Sequence, residues 1–215
     1  MKKVVVIGMG RFGHAVCIEL TKLGIEVLAV DSDESAVNEI VDHVTHALIM
    51  DATNREALAD AGIMNFKTAI VGIGHNVEAS ILTTLMLKEI GVENVTARAI
   101  NRYHGLILEK IGADRIIYPE AEMGRKLARS ITNPDLIDFL DFGESFSIVE
   151  VLASENMIGK TLRELQLRNR FGINVVAVKR GGRINGAPGA DDALKNGDEL
   201  LVSGPPENIS KIKKA

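Results

Sequence analysis

The chain has few of the residues on which redox, disulfide and nucleic-acid chemistry depend. Its 215 residues include no tryptophan, two tyrosines and a single cysteine, Cys17. One cysteine excludes an internal disulfide, and its position between Val16 and Ile18 favours a small buried residue over a reactive thiol. The 25 basic residues are outnumbered by 29 acidic ones, which gives a net charge of −4. Since there is no basic excess, we expect no nucleic-acid partner.

Long apolar runs are also missing. No run approaches the roughly 20 residues that cross a bilayer. Lys2 and Lys3 lead straight into a strand-like segment and not into a cleavable signal sequence. We therefore expect a cytoplasmic protein. The composition is otherwise that of a folded globular domain, with 46% hydrophobic and 25% charged residues.

The motifs of several enzyme classes are absent as well. The five histidines show no metal-ligand spacing, and the chain contains no P-loop, G-x-S-x-G or H-E-x-x-H motif. A short-chain dehydrogenase needs a tyrosine and a lysine four residues apart, but Tyr103 is followed by Ile107 and Tyr118 by Glu122. The sequence therefore predicts a protein that holds a ligand without transforming it, and not an enzyme.

What is present is a regular alternation of strand-like and helix-like segments over residues 1–118. Such alternation predicts an α/β fold, a Rossmann-type doubly wound parallel sheet with right-handed crossovers. A further helix at about 121–132 ends at Asn133 and Pro134, since the residue before proline avoids the helical region. The predicted strands are 3–8, 26–31, 46–50, 68–73, 94–99 and 114–118, and the predicted helices are 12–23, 34–42, 55–61, 77–90 and 103–111.

The pattern changes after residue 134. Short strand-like segments separated by glycine-rich turns indicate mostly antiparallel pairing. We predict two domains, a Rossmann-type nucleotide-binding domain at 1–134 and a small α+β subdomain at 135–215, with a linker around 133–145. The predicted elements of the second part are strands at 147–152, 175–179, 183–185 and 199–203, a turn and short helix at 159–165, and a closing helix from about 205.

The most informative segment is Gly8-Met9-Gly10-Arg11-Phe12-Gly13, which follows an apolar run and precedes a helix-like pattern. Strand, glycine-rich turn and helix form the context in which G-x-G-x-x-G indicates a dinucleotide site. Gly8 permits the tight turn, Gly10 lets the backbone approach a phosphate, and Gly13 lets the helix pack on the strand. The helix N-terminus offers free N–H groups to the anion.

The carboxyl ends of the other strands supply further candidates, because ligands of open parallel sheets lie there. Asp31, followed by Ser32, ends the second strand 23 residues after Gly8, where an acid accepts hydrogen bonds from ribose hydroxyls. Asp51 or Thr53 is a candidate for the adenine edge or, alternatively, for the cap of the next helix. The remaining strand-end residues predicted for the site are Ala52, Gly72, Ile73, Gly74 and Asn76.

Three charged residues complete the predicted site. Arg11 stands at a helix start, where its charge opposes the dipole at a cost of about 0.3–1 kcal/mol unless an anion is present. It therefore pairs with a phosphate or, alternatively, is a solvated surface arginine. Arg98, at the end of the fifth strand, is a second phosphate partner or the partner of a nearby acid. Glu120 begins a helix, where it suits the dipole or takes part in metal or phosphate chemistry.

One helix-like segment, residues 79–87, carries no charge over more than two turns. A helix that is apolar on most sides is buried on most sides. The segment is therefore either a central core helix or part of a subunit interface.

These features together resemble the RCK domain family (regulator of K⁺ conductance, also called KTN), and within it the cytosolic regulatory subunits of Ktr-type, TrkA-related bacterial potassium transport systems. The resemblance covers nearly the whole first lobe and extends into the second. It is carried by residues 6–13, 26–31, 73–80, 85–89, 108–117, 119–120 and 123–124 in the first lobe, and by residues 159–162 and 196–200 in the second.

The resemblance implies a homodimer that assembles into an octameric ring on a separate K⁺-translocating membrane subunit, at the inner face of the cell membrane. ATP or ADP, or alternatively NAD or NADH, would bind the first lobe and gate ion flow. The resemblance also implies that Arg11 contacts the ATP γ-phosphate, that Arg98 is a basic residue of the site, and that Glu120 holds Mg²⁺ or Ca²⁺. In the second lobe it implies a cyclic di-AMP site at Leu162, Arg168, Asn174 and Pro188.

Two other functions stay open at this stage. A small NAD-dependent oxidoreductase would use the same nucleotide fold, although no catalytic pair is evident. An NADH-sensing regulator of another partner, such as a transcription factor, would need a DNA-binding element, and the charge balance argues against one.

Overall fold

The computed structural model describes residues 3–132, 136–141, 145–209 and 211. The chain divides into two compact units, Met1–Ala121 and Glu122–Ala215. The division falls within a helix, whereas the sequence places the domain boundary between residues 134 and 135, and that boundary stays a prediction. Every helix among the described residues is too short or too polar to span a bilayer.

The first unit contains the predicted alternation of strands and helices, with every boundary within two residues of its predicted position. The strands are β1 (Lys3–Ile7), β2 (Glu26–Asp31), β3 (His46–Ile49), β4 (Thr68–Val71), β5 (Asn94–Arg98) and β6 (Arg115–Ile117). The helices are α1 (Arg11–Lys22), α2 (Glu34–Ile40), α3 (Arg55–Asp60), α4 (Val77–Glu89), α5 (Arg102–Lys110) and α6 (Pro119–Thr132), the last of which continues into the second unit.

The six strands form one parallel sheet in the order β3-β2-β1-β4-β5-β6, which confirms the predicted doubly wound fold. β1 is central and buried on both faces: Val5 and Ile7 pack in one apolar cluster, Val4 and Val6 in the other. Strands buried on both faces need continuous apolar runs, which explains the sequence of β1. β2 and β3 lie on one side of β1, and β4, β5 and β6 lie on the other. The strand order therefore reverses at β1, which is the switch point where such sheets bind ligands.

Cys17 lies in the second of these clusters, fully buried in α1. Its Sγ atom is 3.7 Å from the Met9 sulfur. Burial raises the pKa of the thiol to about 12, so the group stays protonated at neutral pH. This is the small core residue that the sequence indicates.

The uncharged segment lies in α4, whose sheet-facing side is buried through Ser80, Thr83, Thr84 and Leu87. These positions follow the spacing of one helical face. The helix is therefore part of the core of the first unit, and an interface role for its outer side stays a prediction.

The second unit contains a five-stranded antiparallel sheet in the order β10-β9-β11-β8-β7. The predicted α+β character is confirmed, and a capping box between Thr161 and Glu164 begins α7. The elements are β7 (Leu136–Asp141), β8 (Ser147–Leu152), α7 (Leu162–Leu165), α8 (Leu167–Phe171), β9 (Asn174–Arg180), β10 (Arg183–Asn185), β11 (Glu199–Gly204) and α9 (Pro206–Ile209).

The predicted linker at 133–145 is wrong for its central part, because residues 136–141 form strand β7 and pair with β8. The register shifts between Leu136 and Asp138. Such an irregularity breaks the strict alternation by which a strand is recognised. The preceding Asn133-Pro134 signal favoured a loop instead. Residues 133–135 and 142–144 of the predicted linker lie outside the described residues.

A buried carboxylate connects the strands of the second unit. The Asp198 side chain is inaccessible to solvent. Its oxygens accept hydrogen bonds from Arg180 Nε at 2.7 Å and Arg180 Nη2 at 2.6 Å. The Lys195 backbone N–H donates to the same carboxylate at 2.8 Å. These donors lower the pKa of Asp198, with Arg180 the largest contributor.

We expect Asp198→Asn to lower the free energy of unfolding by about 2 kcal/mol at neutral pH, since it removes charge-assisted hydrogen bonds to a buried group. Because the folded pKa is depressed, the unfolded chain takes up the proton first as the pH falls. The contribution is complete above the unfolded pKa of about 4 and is lost as the pH falls through the folded value. The stabilities of the variant and of the unsubstituted chain should therefore become equal at low pH, and urea unfolding of both proteins from neutral pH downwards measures this.

The matched control is Asp191→Asn. Asp191 also pairs with an arginine, Arg163, but both side chains are exposed. Such surface pairs contribute about 1 kcal/mol or less. Equal losses of stability for the two variants would contradict the role given to Asp198.

Candidate functional site

A cleft of about 290 Å³ opens at the carboxyl ends of the first five strands. This is where an open parallel sheet is expected to bind its ligand. The sequence-predicted residues that line it are Gly8, Gly10, Asp31, Ser32, Asp51, Ala52, Thr53, Gly72, Ile73, Gly74, Asn76 and Arg98. The four other predicted residues, Arg11, Phe12, Gly13 and Glu120, lie next to it without lining it.

The glycine turn is packed too tightly for side chains at two positions. Gly8 has a φ of +94°, and a Cβ there would lie 2.8 Å from the Ile73 backbone nitrogen. A Cβ at Gly13 would lie 1.9 Å from the Gly8 carbonyl oxygen. Gly72 also approaches, since a Cβ there would be 3.0 Å from the same oxygen. The first and third glycines of the motif are therefore required by contacts within the fold.

Gly10 differs, because a Cβ there would meet no atom within 4 Å. It is the exposed N-cap of α1, and its backbone conformation is extended. The first turn of α1 contains no acidic residue and has no side-chain cap. Free N–H groups and the positive end of the dipole thus face open space at Gly10, which suits an anion.

Arg11 is the first residue of α1 and is exposed, as the sequence predicts. No ion pair or hydrogen bond involves its side chain among the residues that the structure describes. Phe12 is half-buried, and its ring centre lies 5.9 Å from the Arg98 guanidinium. That distance is within the range of a cation–π contact, so the Phe12 ring helps to hold the Arg98 guanidinium, and a direct contact of Phe12 with the ligand stays a prediction.

Asp31 has a second role that the sequence does not indicate. Its Oδ2 atom accepts a hydrogen bond of 2.5 Å from the Met9 backbone N–H, inside the glycine turn. Its Oδ1 atom accepts one of 2.9 Å from the Asp33 backbone N–H. The carboxylate therefore holds the turn in place, and each oxygen retains capacity for a ribose hydroxyl.

The alternative role of Asp51 or Thr53 as a helix cap is wrong. The N-cap of α3 is Asn54, whose side chain accepts from the backbone N–H groups of Glu56 and Ala57. Asp51 Oδ1 instead accepts from the Thr53 backbone N–H at 2.9 Å and from its hydroxyl at 2.8 Å. This local turn is a common arrangement of aspartate, and it leaves both residues on the cleft wall.

The second glycine-rich turn packs against the first and begins α4. The Gly72 backbone N–H donates to the Ile7 carbonyl at 2.7 Å. Asn76 is the N-cap of α4, and its side chain accepts from the Ala79 backbone N–H at 3.0 Å. Asn76 therefore has a structural function as well as a place on the cleft wall.

Arg98 and Glu120, both predicted for the site, form an ion pair with each other through Arg98 Nη2. Arg98 also donates from Nη1 to the Gly72 carbonyl at 3.4 Å, and its side chain is 18% exposed. The structure thus confirms the alternative prediction for Arg98, an ion pair with a nearby acid. No cluster of three or more potential metal ligands occurs among the described residues.

The cleft is also lined by eight residues that the sequence analysis did not predict for the site: Ile7, Met9, Asp33, Ala36, Met50, His75, Ala79 and Thr83. Most are chain neighbours of predicted residues, and extending each strand end by one or two positions would have found them. Ala79 and Thr83 belong to the face of α4, and Ala36 belongs to α2. Only a helix-packing argument would have indicated these three.

The four positions that the resemblance implies for the second lobe lie together. Leu162, Arg168, Asn174 and Pro188 line one pocket of about 360 Å³, formed by α7, α8, the start of β9 and the loop before residue 190. Arg163, Leu167, Ile173, Val175 and Ala190 complete its wall.

Comparison with known proteins places these two units in one family. The TrkA-N domain model matches residues 4–119, and the TrkA-C domain model matches residues 146–215. Ktr system potassium uptake protein C of Bacillus subtilis (strain 168) is 43% identical over 99% of this chain and 96% of its own length. Ktr system potassium uptake protein A of Vibrio alginolyticus is 38% identical over 97% of this chain and 95% of its own.

Solved structures share the fold at lower identity. The RCK domain of GsuK superposes with a TM-score of 0.68 at 16% identity, over 99% of this chain and 47% of that one. The GsuK channel bound to NAD gives a TM-score of 0.56 at 24% identity, over 100% of this chain and 38% of that one. This chain thus spans less than half the length of those proteins.

The glycine contacts predict unequal losses of stability for two substitutions in the same motif. Gly13→Ala forces a methyl group onto the Gly8 carbonyl, and we expect a loss of about 3 kcal/mol in the free energy of unfolding. Gly10→Ala places its methyl group in open space, and we expect less than about 1 kcal/mol, which reflects the N-cap preference. Urea denaturation of the two variants beside the unsubstituted chain measures both values. A larger loss for Gly10→Ala than for Gly13→Ala would contradict the packing described above.

Proposed function

This chain belongs to the family of TrkA-N and TrkA-C domain proteins, and we propose that it is a nucleotide-binding regulatory subunit of a potassium uptake system. The observation that carries the proposal is the 43% identity to a Ktr potassium uptake protein over nearly the full length of both chains. The subunit acts on a separate K⁺-translocating membrane protein and is peripheral on the inner face of the membrane through that partner.

The cleft of the first unit is the proposed nucleotide site. Asp31 receives the ribose, and the start of α1 at Gly10 receives phosphate, because each offers the complementary hydrogen-bonding groups. Arg11 and Arg98 are the proposed phosphate cations. ATP and ADP are the favoured ligands, since Arg11 stands at a helix start without an ion pair to any described residue and suits an additional phosphate. NAD and NADH are the alternative ligands, since the same glycine motif binds dinucleotides.

Glu120 is the proposed ligand of a divalent cation, Mg²⁺ or Ca²⁺, beside the phosphates. Such hard cations take one or two carboxylates and complete their coordination with phosphate oxygens and water. One carboxylate at the edge of a phosphate site fits that pattern. In the present arrangement Glu120 pairs with Arg98, so cation binding competes with this ion pair.

The pocket of the second unit is the proposed site for cyclic di-AMP. Arg168 supplies a cation for a phosphodiester, Asn174 offers amide hydrogen bonds, and Leu162 and Pro188 offer apolar contact to a base. The two ligands would then act on one molecule through separate units.

Gating follows from a difference in affinity. A ligand shifts a two-state assembly only by the difference between its affinities for the two states, and a typical coupling is about 1–3 kcal/mol per site. In the proposed octameric ring of homodimers the couplings of several sites add. ATP and ADP would favour different ring shapes, because only ATP has a γ-phosphate for Arg11.

The test is a calorimetric titration of the purified protein with ATP, ADP, NADH and cyclic di-AMP, with and without Mg²⁺, followed by small-angle scattering of each complex. We expect ATP and ADP to bind and to give different scattering profiles. Binding of NADH alone, together with its oxidation in the presence of a substrate panel, would favour the NAD-dependent oxidoreductase instead. Binding of NADH alone without turnover would favour an NADH-sensing regulator.

We expect Arg11→Ala to weaken ATP binding about tenfold or more and ADP binding much less, because the guanidinium contacts only the third phosphate. The matched control is Arg102→Ala, which removes another exposed arginine from the first position of a helix, α5. We expect this control to bind both nucleotides normally. Equal losses of ATP and ADP affinity in Arg11→Ala would rule out the γ-phosphate contact.

A further inference from the structure

The buried face of α4 contains three hydroxyl groups where a sheet-facing helix usually has aliphatic side chains. Ser80, Thr83 and Thr84 are all fully buried. The Thr84 hydroxyl donates to the Ser80 carbonyl at 2.8 Å, one turn back in the helix. The hydroxyls of Ser80 and Thr83 have no hydrogen-bond partner among the described residues. A buried hydroxyl without a partner destabilises the fold, so its presence indicates another function.

Thr83 is distinguished from Ser80 by its position, because it lines the cleft of the first unit. Since its side chain has no solvent exposure, it lies at the bottom of the cleft and not at its mouth. A second unpartnered polar atom lies on the same cleft: Arg98 Nε is buried and has no hydrogen-bond partner within the described part of the chain. A hydroxyl and a guanidinium N–H are both donors to oxygen.

The order of the strands fixes which part of a nucleotide reaches these two groups. Asp31 ends β2, the glycine turn follows β1, and Arg98 ends β5, with β4 between them. Thr83 belongs to α4, the helix that connects β4 to β5. A nucleotide with its ribose at Asp31 and its first phosphates at Gly10 therefore directs its next group towards Thr83 and Arg98.

We propose that the Thr83 hydroxyl donates a hydrogen bond to an acceptor oxygen on the part of the bound nucleotide that lies beyond its second phosphate. In ATP this oxygen belongs to the third phosphate, and in NADH it belongs to the ribose that is attached to the second phosphate. ADP contains neither group. The inference rests on the proposed function and adds to it a residue that distinguishes ligands by their distal group.

Binding and stability then depend on Thr83 in opposite directions. In the free protein the unpaired hydroxyl contributes nothing favourable, so replacing it with a methyl group of the same shape does not destabilise the fold. In the complex the same replacement removes one hydrogen bond. A purely structural threonine would behave in the reverse manner, losing stability and keeping its affinity.

The test compares Thr83→Val with Thr84→Val, the same substitution at the adjacent buried position, whose hydroxyl is satisfied within the helix. Calorimetric titration of the full chain uses ATP, ADP and NADH, and urea unfolding gives the stability of each variant. We expect Thr83→Val to weaken ATP or NADH binding about five- to tenfold, to leave ADP binding unchanged, and to unfold at no lower urea concentration. We expect Thr84→Val to bind all three ligands normally.

The outcomes separate this inference from the proposed function. If the unsubstituted protein binds none of the nucleotides, the proposed function fails and the inference fails with it. If that protein binds them and Thr83→Val binds them equally well, the inference alone is overturned. An equal loss for ADP and ATP also overturns it, because the contact would then not be to the distal group. Thr83→Ser, which keeps the hydroxyl, should retain normal affinity, and Thr83→Ala repeats the deletion if the valine variant does not fold.

Discussion

The contact between the Gly8 carbonyl and Gly13 is the constraint on which the first unit depends. It brings the first turn of α1 against the end of β1 at a distance that excludes even one methyl group. Gly72 meets the same carbonyl from β4, so two neighbouring strands and a helix converge on one oxygen atom. The direction of α1, and with it the position of its N-terminus over the cleft, follows from this packing. Asp31 then fixes the turn from β2 through Met9.

The two sides of the cleft have different sources of positive charge. At the glycine turn the positive potential comes from backbone N–H groups and the α1 dipole, which require no counter-charge in the free protein. On the opposite side Arg98 is already held by Glu120, by the Gly72 carbonyl and by the Phe12 ring. A phosphate that approaches Arg98 replaces one anion with another. The gain in electrostatic energy is therefore smaller there than at the free helix terminus.

Most of the first unit could be predicted from the sequence, because its strands are continuous apolar runs and its helices are regularly spaced between them. The glycine motif located the cleft, because Gly8 and Gly13 are required by close backbone contacts and Gly10 leaves the helix N-terminus open. Strand β7 escaped prediction because its register is irregular next to β8. The capping residue of α3 could not be identified from the sequence, because Asp51, Thr53 and Asn54 are all residues that cap helices, and only coordinates distinguish them. Thr83 could not be found, because a threonine within an apolar helix gives no sign of facing a ligand.

The central place of β1 also has a consequence for how the chain is made. β1 is synthesised before both of its neighbours in the sheet, and one of them, β4, begins only at residue 68. Until that segment leaves the ribosome, the edge of β1 that β4 will cover has no pairing partner, and exposed strand edges of this kind invite aggregation. The packing around the Gly8 carbonyl is likewise incomplete until Gly72 has been synthesised. Ligand therefore cannot stabilise the chain before the β4 segment has been synthesised, because the turn that follows β4 forms one wall of the cleft.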